Sequence, residues 1–430
     1  MAFGFQRRSL PGLNLHVLPT GRFKRVTAVL VWQEGLSEET ASSFALLPRL
    51  LRRGSRPHPT LPELERALAG LYGATLSAGV EKIGDRHVGT LTMTWPAARY
   101  VPGQPPAADL PARALELLFE VLADPLLEGD AFPEERVAEE RRAQIERIRA
   151  LINDKAAYAV RRCVAAMCAG EPYGVSELGE PARLESLDGR ALAAFHRRVL
   201  ERSPLDLFVL GEVDPDELAA AVERALDLLP GDRRPGQLPP PVLRAAREQP
   251  RRVEETQPME QGWLILGLRA EIGFDHPLWP ALEMYNGVLG GFVHSKLFLH
   301  VRERASLAYA AFSRLVRGKG LLLAMAGIDP AKRQEAEEIM LRQIEDARAG
   351  RITDEELEAT RRSLIDRIRS DMDRPGAVIR AALEREIFGR DEDAEEEIRA
   401  LSAVSKDDVR EVARRVQLDT VYFLHGPRGE

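Results

Sequence analysis

Residues 229–250 read LPGDRRPGQLPPPVLRAAREQP. Six prolines and two glycines in these 22 positions fix φ and remove backbone donors too often for a helix or a central strand to run through. The break nearly bisects a chain of 430 residues, which is too long for one ordinary core. We therefore expect a first domain over 1–228, an exposed linker over 229–250 and a second domain over 251–430.

The two sides of the linker read alike. Alternating or apolar runs predict strands at 13–18, 26–32, 75–80, 87–95 and 205–210. Apolar residues at i, i+3 and i+4 predict helices at 39–53, 62–72, 112–122, 134–151, 155–169, 190–201 and 215–228. Beyond the linker, strands are expected at 252–255, 262–268, 307–314, 320–326 and 420–424. Helices are expected at 277–288, 295–304, 331–350, 353–371, 375–388, 394–401 and 406–416. Strands, helices, strands, a run of helices and a closing strand appear in that order twice. The fold class is α+β, with two similar domains, each a mostly antiparallel sheet covered by helices.

Composition narrows the function. A net charge of -7 spread along the chain argues against a nucleic-acid binder. No run approaches the ~18 apolar residues of a membrane span, and the N-terminus has no apolar signal segment. A cytoplasmic protein is expected, with no membrane partner. Cys163 and Cys168 lie five apart in a helical stretch, so we expect reduced, partly buried thiols on different faces rather than a metal cluster. His294 and His300 are six apart on one helix and read as solvated or core histidines. Gly290-Gly291 is followed by no phosphate-loop pattern, so these glycines serve close backbone approach.

The most specific stretch is GVLGGFVHSKLFLHVRERASLAY, residues 287–309. With its Leu289-Gly290-Gly291, Ser295-Lys296-Leu297-Phe298, Val301-Arg302-Glu303-Arg304 and Leu307-Ala308-Tyr309, it resembles the second half of pitrilysin and insulinase-type zinc peptidases. There the pattern runs L-G-G, S-R-L-F, L-R-E-K-R and G-L-A-Y. The resemblance is strongest to the shorter, mitochondrial processing peptidase-like forms and covers nearly the whole chain.

That family carries its zinc on H-x-x-E-H, followed shortly by R-G-T. Arg53-Gly54-Ser55 match the tail, and counting back puts the histidines at Ala45 and Arg49 and the catalytic glutamate at Pro48. Zinc needs imidazole or carboxylate lone pairs, and hydrolysis needs a base for the bound water. These residues supply neither, so no metal is expected at this position, and Pro48 is expected to bend the helix. Glu139 and Glu146 match the spacing of the family's later glutamates. They read either as a solvated face or as relics of a lost site.

The resemblance gives Arg302 and Tyr309 the family's roles of binding substrate and supporting the transition state across the cleft. It implies a non-catalytic, substrate-binding subunit, inactive alone. This chain would lend Arg302 and Tyr309 to a paralogous partner that carries zinc, with a peptide as substrate. The sequence leaves open whether the isolated chain also forms a homodimer. The alternative is a structural scaffold or protein-binding member of the family with no peptidase role; separately, Arg302 and Tyr309 could be kept only for packing between helix and strand.

Overall fold

The computed structural model describes residues 4–101 and 109–427. Two sheets organise it. The first contains β1 (Gln6–Leu10), β2 (Leu13–Pro19), β3 (Arg25–Gly35), β4 (Thr75–Ile83), β5 (Arg86–Pro96) and β6 (Leu205–Gly211), in the spatial order β1-β2-β6-β3-β5-β4. The second contains β7 (Arg251–Thr256), β8 (Gly262–Arg269), β9 (Ala308–Val316), β10 (Leu321–Ile328) and β11 (Gln417–His425), in the order β7-β11-β8-β10-β9. Without β1, the first sheet has the same strand order as the second. Each has one parallel pair, β2 with β6 and β7 with β11. The repeated order of elements is thus a repeated topology.

β1 was not expected, because QRRSL is polar and lacks alternation. It pairs only with β2, at the sheet edge, where polar side chains cost nothing. Helix 277–288 ends as an α-helix at Asn286 and continues as a π-turn over Gly287–Gly291. The 295–304 segment is also wound as π over Phe298–Arg304. Local helical periodicity cannot report that difference in pitch.

Each sheet has two covered faces, and one helix of each half covers the opposite half. The Lys155–Met167 helix comes from the first half. Its Ala159, Cys163, Val164 and Met167 pack on Trp263, Ile265, Leu323 and Tyr422 of the second sheet. Conversely, Ile379 and Leu383 of the Pro375–Phe388 helix pack on Val29, Val31, Phe208 and Leu210 of the first sheet. The two helices occupy equivalent places in the repeat, so the exchange is reciprocal. Both cysteines lie in this seam and are fully buried rather than partly so. They also share one apolar cluster instead of facing apart. Burial pushes the Cys168 thiol up to about 11 and Cys163 higher still, so neither is a ready nucleophile.

The linker contains no helix or strand. It is pinned to both halves: Asp85 of the first accepts from Val242 N at 2.6 Å, and Arg247 reaches Asp419 of the second at 2.5 Å. Lys319 of the second half is buried in the same seam. Its Nζ lies 3.1 Å from Asp85 Oδ2 and 3.7 Å from Glu171 Oε2. Arg269 completes the network with Glu171 at 2.5 Å and Asp419 at 3.2 Å. Among the described residues no helix is long and apolar enough to cross a membrane.

Candidate functional site

Ser37 caps the Glu38–Leu51 helix by accepting from Thr40 N. The helix is buried on most sides and runs through Pro48 to Leu51. Ala45 is fully buried, and Pro48 is buried too. Arg49 is the only one of the three positions with a polar head, and that head is already engaged. Its Nη1 lies 3.4 Å from Glu140 Oε2, and Arg53 reaches both Glu140 and Glu139. Two guanidinium groups thus stand opposite one buried carboxylate, where a metal would need lone pairs. These residues do not fit a zinc ion.

Glu139 approaches the first helix through Arg53, whereas Glu146 is exposed and pairs with Arg149 of its own helix. The residue that faces Arg49 most directly is Glu140, which sequence reasoning passed over. Val137, Glu140 and Gln144 form the buried stripe of the Glu134–Ala150 helix. The signal was present: Glu140 and Gln144 fall at i+3 and i+7 from Val137, on the inner face.

The second half is built around its glycines. A Cβ on Gly290 would overlap the Ser313 backbone of β9, so the π-turn can press against the strand only with glycine there. Ser313 Oγ donates to Asn286 Oδ1 at 2.8 Å. Ser306 holds φ 52°, where the family pattern carries glycine. Lys296 is buried and anchors the following helix through Glu356 at 2.9 Å. His294 bonds Thr360 at 3.3 Å and His300 lies 3.4 Å from Arg304, so both have local partners.

Arg302 lies over the Phe298 ring at 4.7 Å and 3.5 Å from Glu303, with its side chain 44% exposed. Tyr309 is 45% exposed. Ala310 pairs with Gly327 and Ala308 with Ile328, so Tyr309 is the extra residue of a bulge in β9. Its ring meets Trp263 edge-on at 5.8 Å. Its hydroxyl makes no hydrogen bond among the described residues, and partial burial raises its pKa above that of a free phenol. It therefore stays a donor at neutral pH. β9 is the outer strand of its sheet and pairs only with β10.

A family profile described as "Peptidase M16 inactive domain" matches residues 186–364. A Bacillus subtilis (strain 168) protein described as the probable inactive metalloprotease YmfF is 31% identical over 425 residues, 97% of each chain. The chain belongs to the M16 peptidase family. Both descriptions place it among the inactive members of that family. A conserved protein from Enterococcus faecalis V583 has a TM-score of 0.92 at 27% identity, covering 99% of this chain and 100% of that one. The M16 inactive domain from Pseudomonas fluorescens, at 16% identity and a TM-score of 0.80 over 99% of both chains, shares the two-domain M16 fold.

Proposed function

We propose that this M16 chain is the substrate-binding, non-catalytic subunit of a two-chain zinc peptidase. A paralogous partner bearing H-x-x-E-H would supply zinc, water and base. This chain would contribute half of the cleft, with Arg302 holding a peptide carbonyl and the Tyr309 hydroxyl donating to the developing oxyanion. An extended peptide would add to the free edge of β9. The observation that carries this reading is Tyr309: a 45% exposed residue on a bulge of β9, whose hydroxyl has no hydrogen-bond partner among the described residues. A residue kept for packing alone would bury that hydroxyl or bond it. A cytoplasmic location is supported by the two unpaired thiols, Cys163 and Cys168.

The test is reconstitution. The purified chain is assayed for peptide hydrolysis alone and after mixing with a paralogue from the same source that carries H-x-x-E-H. Activity only on mixing, lowered roughly tenfold or more by Tyr309→Phe, supports the shared site. Activity of the mixture untouched by Tyr309→Phe and Arg302→Ala would move this chain to the scaffold class.

A further inference from the structure

The seam between the halves contains a set of metal-ligating atoms far from the zinc-motif helix in the architecture. His16 lies on β2 and Asp206 on the neighbouring β6. Their side chains project from the face of the first sheet that the Pro375–Phe388 helix covers, opposite the face on which the Glu38–Leu51 helix packs. That covering helix comes from the second half and brings Glu386. One ligand atom from each of His16, Asp206 and Glu386 lies within 4.8 Å of the others.

Asp206 is 2% exposed, yet no lysine or arginine pairs with it among the described residues. Its partners are Asn14 Nδ2 at 3.3 Å, Gln33 Nε2 at 3.1 Å and His16 Nε2 at 3.0 Å. Glu386 approaches as a second carboxylate, and its ion pair is with Arg7 at 3.0 Å, whose side chain is 53% exposed. His16 is the one buried basic group beside Asp206 among the described residues, and a second carboxylate shares it, which is a costly arrangement.

The surroundings have the form of a metal site's outer shell. Neutral amides hold Asp206 without neutralising it. The His16 ring is fixed by stacking on Phe208, with centroids 4.2 Å apart and an 8° angle between planes. The His16–Asp206 separation of 3.0 Å is already near the roughly 3.3 Å between donors around a tetrahedral ion with ~2.0 Å bonds. One imidazole and two carboxylates suit a divalent transition-metal ion of intermediate softness.

We propose that His16, Asp206 and Glu386 form a structural site for a divalent transition-metal cation, with Zn²⁺ as the probe. Its ligands come from both halves, so occupancy clamps the exchanged helix onto the first sheet. The proposal is independent of the peptidase reading, because its test measures binding and unfolding rather than hydrolysis.

The full chain is stripped with EDTA, and Zn²⁺ binding is followed by calorimetry, with Co²⁺ absorption as a ligand-field signature. One equivalent should bind and raise the Tm of the full chain. Glu386→Gln is partly exposed and keeps the helix intact. It should weaken binding at least roughly tenfold, leave the Tm of the metal-free protein unchanged or raised, and abolish the Zn²⁺-dependent rise. Asp206→Asn should also abolish the rise. Absence of saturable binding by the unmodified chain, or equal affinity in Glu386→Gln, overturns the site.

Discussion

The ring of Tyr309 lies over Gly327 of the adjacent strand: a Cβ built there would stand 2.5 Å from Tyr309 Cζ and 2.6 Å from its hydroxyl oxygen. The missing side chain of one residue therefore sets the aim of the other. Gly327→Ala should displace the phenol while leaving Tyr309 and Arg302 themselves unchanged in sequence. We expect a loss of about 1–3 kcal/mol in urea unfolding, from overpacking. In the reconstituted pair, we expect a fall in hydrolysis comparable to that of Tyr309→Phe. An unchanged rate would show that the position of Tyr309 is immaterial.

The arginines in place of zinc make their own prediction. Glu140→Gln removes the buried charge that Arg49 and Arg53 share. Both arginines remain about one-third exposed, so solvent limits the effect to about 1–2 kcal/mol. Chemical denaturation measures it, and added salt should narrow the gap between the two proteins.

Acid should weaken the fold through two histidines. His196 is buried and lies 2.7 Å from the Leu122 carbonyl oxygen. His87 stacks on Phe44 and lies 3.0 Å from the Glu177 carbonyl oxygen. Burial lowers both to about 4 from an ordinary 6.5. The unfolded chain takes up these protons first, so stability is complete above about pH 6.5 and falls as pH drops toward 4. A shift of this size is worth on the order of 3 kcal/mol per histidine. His196→Gln keeps a donor for the carbonyl and should flatten the urea midpoint's dependence on pH over that window.

Lys319→Met tests the seam. Its ammonium is fully buried between Asp85 and Glu171 of the other half. Removing it leaves a buried carboxylate uncompensated and should cost about 3–5 kcal/mol. Thermal unfolding should shift accordingly, and hydrogen exchange should rise first in the linker around Val242, whose backbone binds both Asp85 and Lys319.

Much of the fold was legible because it is local. Thr60 with Glu63 and Thr353 with Glu356 are capping boxes, and Asp214 caps the helix that follows it. Alternating or apolar runs located β3, β5 and β8, whose central positions are largely buried. β1 escaped because an edge strand needs no apolar face. The misfit of Ala45, Pro48 and Arg49 to zinc was legible, since those side chains have no lone pairs to give. Glu140 was not singled out, because the choice among neighbouring glutamates depends on which stripe of the helix meets the first one.

The sequence alone determined the duplicated order of elements and the broken middle, for these depend on residue type and spacing along the chain. Tertiary structure decided which half each helix covers. The Lys155–Met167 and Pro375–Phe388 helices are amphipathic whichever sheet they meet, so their apolar stripes name no partner. It also decided that His16, Asp206 and Glu386, up to 370 positions apart, converge at one seam. Only folding brings such distant residues together, and only their joint burial makes their charges matter to one another.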